Sequence, residues 1–203
     1  MYIHPEQRMR HKIARWSITN IFESTIATRI LVIAKRASAC LAPRVSAALV
    51  RTWYNGWCTA RRFQGSGTCL LGCCYDNTDS IEHYSRCPQV STLRGKLGLL
   101  ASKFQSLPGF LNCISGITDE ELQLNSLVVY ATYSSVNTIR HTGRLCTAQV
   151  QHMLMEYCKL AAAGHTKSLK TLHSALMGGR FGRNANIAEL DESSQQARRR
   201  RVS

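Results

Sequence analysis

The stretch from Cys69 to Cys87 constrains this chain more than any other. It reads Cys69-Leu70-Leu71-Gly72-Cys73-Cys74 and then, after a short gap, Asp79-Ser80-Ile81-Glu82-His83-Tyr84-Ser85-Arg86-Cys87-Pro88. Zinc takes four nitrogen or sulfur ligands tetrahedrally, so its protein sites are written as two close ligand pairs joined by a loop. Here Cys69 with Cys73 or Cys74 forms one pair, and His83 with Cys87 forms the other. Gly72 has no Cβ, which lets the backbone turn until two sulfurs face one point. His83 and Cys87 stand at i and i+4, on one face of a helical turn. Buried thiols and a surface histidine would be the plain alternative in a cysteine-rich chain. Four donors crowded around a glycine turn favour zinc. Four protein ligands also close the site, leaving no position for a catalytic water, so the expected Zn2+ is structural.

The rest of the composition bears on partners. Lys and Arg number 26 against 12 Asp and Glu, giving a formal charge of +14. An excess of this size favours RNA, DNA or another anionic surface as the partner. The nine cysteines are an odd number and are not spaced as a disulfide framework. Cys40, Cys58, Cys113, Cys146 and Cys158 stand in apolar or helical surroundings and read as reduced, mostly buried thiols. The expected compartment is therefore intracellular and reducing, a nucleus before a mitochondrion. No uninterrupted apolar run reaches the length of a membrane span, so no membrane partner is expected.

Three regions follow from the patterning. Residues 1–17 form a basic N-terminal arm with Arg8, Arg10, Lys12 and Arg15. Residues 18–178 read as a helical domain containing the finger, residues 69–88. Residues 179–203 lose periodicity and carry Arg198, Arg199, Arg200 and Arg201, a disordered basic tail suited to nucleic acid or nuclear import. Within the middle region, Phe22, Ile26, Ile30, Ile33 and Ala37 mark an amphipathic helix from Asn20 to about Leu41. Arg29 and Arg36 fall along its border. A second helix starts at Pro43, with Val45, Ala48, Leu49, Thr52 and Trp53 on one stripe; it ends at Asn55-Gly56 or runs on to Trp57. Core packing is the expected role of both tryptophans, with base reading as the alternative. Arg61 and Arg62 follow, placed to grip a phosphate backbone beside the finger. Leu93, Leu97, Leu100 and Phe104 mark a further helix, broken at Leu107-Pro108-Gly109. Thr118 and Glu121 form a capping box ahead of a helix to about Arg140 that is apolar on nearly every face. Another runs from about Leu145 to Ala163 with Met153, Leu154, Tyr157 and Leu160 inward, and a last from about Lys167 to Met177. The fold class is mainly α, a helical domain with an inserted small Cys-Cys-His-Cys zinc-binding loop.

Trp57-Cys58-Thr59-Ala60-Arg61-Arg62-Phe63, the two cysteine and histidine pairs, and Leu41-Ala42-Pro43-Arg44-Val45-Ser46 together resemble a known family. The chain resembles the zinc-binding region C-terminal to the polymerase in reverse transcriptases of LINE-like, non-LTR retrotransposons, in algal and protist versions. The likeness covers roughly residues 9–88. It implies metal ligation by Cys69, Cys73, His83 and Cys87, with Ser80 and Glu82 shaping the loop and Glu82 as a supporting partner of the ligands. Many family members leave two residues between the first cysteines and four between histidine and the last cysteine; here there are three and three.

Polymerase chemistry needs paired aspartates holding two metal ions, and no Asp-Asp pair occurs. Between Pro88 and the tail the only acidic cluster is Asp119-Glu120-Glu121, explained by helix capping. The expectation is a non-catalytic, zinc-stabilised nucleic-acid-binding module rather than an enzyme, acting beside a reverse transcriptase catalytic chain or in a ribonucleoprotein. The alternative is a structural RNA-binding subunit of a large assembly such as an organellar ribosome.

Overall fold

A capping box begins the element on which the rest of the chain is laid. The Oγ1 of Thr118 accepts the Glu121 N–H at 3.1 Å, and Glu121 Oε2 accepts the Thr118 N–H at 2.9 Å. These bonds satisfy two donors that a helix start otherwise leaves open. The computed structural model describes residues 7, 8, 10, 11, 23–65, 67–73 and 78–163. In it the helices are α1 (Glu23–Cys40), α2 (Pro43–Trp53), α3 (Ile81–Arg86), α4 (Pro88–Lys96), α5 (Ala101–Phe104), α6 (Leu107–Phe110), α7 (Asp119–Thr142) and α8 (Thr147–Ala163). A single 3-10 turn covers Arg61–Phe63, and no strand occurs among the described residues.

The 24 residues of α7 span about 36 Å at 1.5 Å per residue. Every residue from Leu124 to Val129 is buried, so this helix is covered on all sides, as its apolar sequence predicts. Helices α1, α2, α4 and α8 all pack against it. On α1, Ile26, Ile30, Ile33 and Ala37 face inward and Arg29 and Arg36 are half-buried at the border, the expected arrangement. Arg36 pairs with Asp119 at 2.5 Å and donates to the Ile117 carbonyl at 3.0 Å, which anchors the start of α7 to the end of α1.

Three details differ from the expected helices. The Leu93–Phe104 segment is not continuous: α4 stops at Lys96, Gly98 takes φ +71, and a separate single turn α5 follows. Two glycines in four residues make the helix too weak to continue where a left-handed position closes it better. Leu107-Pro108-Gly109 forms the single-turn α6, because Ser106 caps it by accepting the Gly109 N–H at 3.1 Å and Pro108 occupies its first turn. On α8 the inward stripe is Val150, Leu154, Cys158 and Ala161, with Met153 and Tyr157 half-buried, whereas Leu160 is 54% exposed. The helix is rotated so that small Cys158 meets α7, its thiol 3.7 Å from the Leu127 carbonyl. The expected helix from Lys167 to Met177 lies outside the described residues.

A buried amide node locks the α6 turn to α7. Asn125 Nδ2 donates to Asn112 Oδ1 at 2.7 Å and to the Gly109 carbonyl at 3.0 Å, and Asn112 Nδ2 donates to Ser126 Oγ at 3.2 Å. Asn112 sits at φ 60, a left-handed position that asparagine tolerates better than most side chains. This node holds Phe110 in place beneath the metal-ligand loop.

Candidate metal centre

Helix α3 presents the second ligand pair, and two local features define it. Ser80 is extended, and its Oγ accepts the His83 N–H at 3.1 Å, starting the helix. Pro88 ends it, because the residue before a proline is pushed out of helical backbone. Cys87 accordingly takes φ −59, ψ 130 and serves as both the end of α3 and the N-cap of α4. The first pair sits on a tight turn in which the Cys69 carbonyl accepts the Gly72 N–H at 3.1 Å. Gly72 adopts φ +70, so a side chain there would be strained.

These turns bring one ligand atom from each of Cys69, Cys73, His83 and Cys87 to within 4.8 Å of one another. Cys69 Sγ and Cys87 Sγ are 3.9 Å apart, and Cys73 Sγ lies 3.0 Å from His83 Nε2. Metal–sulfur bonds of about 2.3 Å in a tetrahedron set sulfur atoms about 3.8 Å apart, so the Cys69–Cys87 pair fits a shared ion. The Cys73–His83 pair needs to open by about half an ångström. Cys87 is fully buried, Cys69 and His83 are nearly so, and Cys73 forms the half-open side. The Cys69 thiol is pushed up to about 12, first by its hydrogen bond with Cys87 and then by burial. Thiolate formation at this position therefore calls for a cation, and the donor set fits one. Cys74 lies outside the described residues.

Asp79 holds the loop together, a role that sequence reading missed. Its carboxylate is buried and accepts from Tyr84 Oη at 2.7 Å, from the Ala60 N–H at 2.8 Å and from Arg140 Nη2 at 2.8 Å. Its own N–H donates to the Gly67 carbonyl at 2.8 Å. Gly67 is needed there, because a Cβ would come within 2.6 Å of the Ala60 side chain. Burial, and then the bond to Asp79, raise the pKa of Tyr84 and keep it a donor. Glu82, expected to support the ligands, instead pairs with Arg61 at 2.6 Å. A lone Asp before a capping serine carries no signal of its own in sequence.

Trp57 closes the inner side. It is fully buried against Tyr84, Phe110 and Tyr133, with ring centroids 5.8, 6.3 and 5.4 Å away, and donates to Thr52 Oγ1 at 2.9 Å. Trp53 is also buried and donates to the Leu111 carbonyl at 2.9 Å. Both tryptophans pack in the core as expected, and the alternative of base reading falls; α2 ends at Trp53, and Trp57 belongs to the loop beyond. The metal-ligand loop shares one continuous apolar core with the helices through Leu71, Ile81, Tyr84 and Cys87.

No family model, curated protein or solved structure matches this chain. The reading of its chemistry rests on its own residues.

Of the basic residues expected at nucleic acid, Arg8, Arg10, Arg61 and Arg62 are described, and all are exposed. Lys12, Arg15 and Arg198 to Arg201 lie outside the described residues. Arg61 and Arg62 stand on the 3-10 turn between the core tryptophans and the ligands, beside a polar cleft of about 510 Å³ lined by Tyr54, Asn55, Thr59 and Glu82. Arg62 lies over the ring of Phe63, which is 65% exposed. Among the remaining cysteines, Cys113 and Cys158 are buried thiols pushed up to about 12 by burial. Cys58 and Cys146 are exposed, a correction to the expected burial. Both stand in short loops beside helices, where neighbouring apolar residues in sequence do not cover them. Among the described residues no helix is long and apolar enough to cross a membrane.

Proposed function

We propose that the chain is a zinc-stabilised helical module that binds nucleic acid without catalysing a reaction. The observation that carries this reading is the convergence of Cys69, Cys73, His83 and Cys87 on one point. Three thiolates and an imidazole, with no carboxylate among them, are a zinc donor set, and four such ligands close the metal to substrate. The ion ties the Cys69 turn to the junction of α3 and α4, and so holds the 3-10 turn bearing Arg61 and Arg62 against the helical core. The charge of +14 supports an anionic polymer as partner, held mainly through phosphates. The resemblance to the region after a retrotransposon polymerase points the same way, toward template RNA or target DNA gripped while a separate catalytic chain acts.

Metal analysis of the purified full chain tests the centre, with about one zinc per chain expected. Cys69→Ser and His83→Ala each abolish it; full zinc in both variants sinks the assignment. Titration with RNA and DNA at several salt concentrations tests the partner. Affinity falls with a log–log slope of about −0.7 per phosphate contact on single strands. A salt-insensitive affinity, or none, removes the nucleic-acid reading and leaves the metal centre standing.

A further inference from the structure

Arg94 is the only fully buried arginine or lysine among the described residues. It stands on α4 two turns above Cys87. Helical side chains lean toward the start of their helix, and this one reaches back to donate from Nη1 to the Ser85 carbonyl at 2.8 Å. Ser85 lies between the ligands His83 and Cys87 in the chain. The guanidinium carbon is 5.4 Å from the centroid of the Phe110 ring. Its Nε and Nη2 have no hydrogen-bond partner. No carboxylate pairs with it among the described residues. Burial pulls its pKa down to about 10, while the charge of Cys87 acts in the opposite sense. It remains a cation at neutral pH.

A buried cation of this kind is strongly destabilising unless negative charge stands near it. The metal centre supplies that charge. Three thiolates and a neutral imidazole around a divalent ion leave one unit of negative charge in excess. We propose that Arg94 is the countercation of the metal centre, a charge-balancing residue that completes the Cys69–Cys73–His83–Cys87 site from the core side. The inference rests on the metal reading above. It makes the core electrically balanced only when the thiolates are formed around the ion, so metal loading and the seating of α4 on Phe110 are coupled.

The test compares Arg94→Met, which keeps length and apolar bulk, with Arg94→Lys, which keeps the charge. Zinc affinity of the full chain is measured by competition with a chromophoric chelator, and the thermal midpoint is measured on metal-free protein. Arg94→Met is expected to lose about 10–100-fold in zinc affinity, the range for residues that support a metal from behind its ligands. Its metal-free midpoint stays level or rises, because an unpaired buried cation has been removed. Arg94→Lys binds zinc more tightly than Arg94→Met, recovering part of that about 10–100-fold loss, since charge rather than shape is what the centre uses. A role in packing alone gives the opposite pattern, a lower metal-free midpoint with unchanged zinc affinity, and overturns the proposal. Should Arg94→Met not fold, Arg94→Gln takes its place; if both neutral variants fold only with zinc, the guanidinium serves the metal-free core and the proposal is likewise overturned. Wild-type protein that binds no zinc refutes the parent reading, an outcome distinct from wild-type and Arg94→Met binding zinc equally, which refutes only the role of Arg94.

Discussion

Asp79 Oδ2 lies 2.8 Å from Arg140 Nη2, an ion pair that ties the start of the ligand-bearing helix α3 to the last turn of α7. The aspartate is nearly sealed from solvent and the arginine is partly open. Removing the carboxylate leaves the arginine, the Tyr84 hydroxyl and the Ala60 N–H without their acceptor. Asp79→Ala is expected to destabilise the protein by about 3 kcal/mol, in the range for breaking one side of a buried, hydrogen-bonded pair. Arg140→Ala costs less, because Asp79 keeps its other two donors. Chemical denaturation of both variants checks the order; equal losses contradict the central place of Asp79.

Removal of the proposed zinc is expected to loosen residues 67–73 and 78–88 first. Binding energy at structural zinc sites is on the order of 10 kcal/mol, which is ample to hold a loop of this size. Because Trp57 and Tyr84 share a face, the loosening also reaches the 3-10 turn Arg61–Phe63. Helices α7 and α8 keep their protection, since they are packed against each other independently of the ligands. Hydrogen exchange with and without chelator reads this directly. A melted α7 beside a protected loop contradicts it.

If Arg61 grips phosphate as proposed, its pair with Glu82 at 2.6 Å competes with that contact. An incoming phosphate must draw Arg61 away from a carboxylate that already holds it. Glu82→Gln is expected to strengthen RNA and DNA binding, and Arg62→Ala to weaken both while flattening the salt slope by about 0.7 to 0.9. A Glu82→Gln variant that binds more weakly removes Arg61 from the phosphate contacts.

The capping box carries a pH dependence with a defined sign. Glu121 is held below the usual carboxylate range, first by its hydrogen bond with Lys103 and then by the Thr118 N–H. A carboxyl depressed in the folded state stabilises fully above its unfolded value of about 4.3 and loses that contribution as pH falls through the lower folded value. Thr118→Ala is expected to cost about 1 kcal/mol at neutral pH. Glu121→Gln removes the acid-side part of the stability profile, seen as a shallower fall of the thermal midpoint between neutral pH and the acid range.

Helical periodicity, the start of α2 at Pro43, the capping box and the four-ligand cluster were all legible in the amino-acid order. Each depends on neighbours within a few residues, where φ/ψ preference and spacing decide the outcome. The rotation of α8 that exposes Leu160 and the exposure of Cys58 and Cys146 could not be read that way. They depend on which surface another helix happens to cover. The same reason hid two buried charged residues beside the candidate ligands. Asp79 and Arg94 look like ordinary surface residues in sequence. One is paired with Arg140, far along the chain, and the other is buried over the Phe110 ring and against the Ser85 carbonyl. The order of residues offered the candidate ligands and left Cys73 and Cys74 open; tertiary packing gathered Cys73 with the other three and chose the charges beside them, because a charge is given its energy by what buries it.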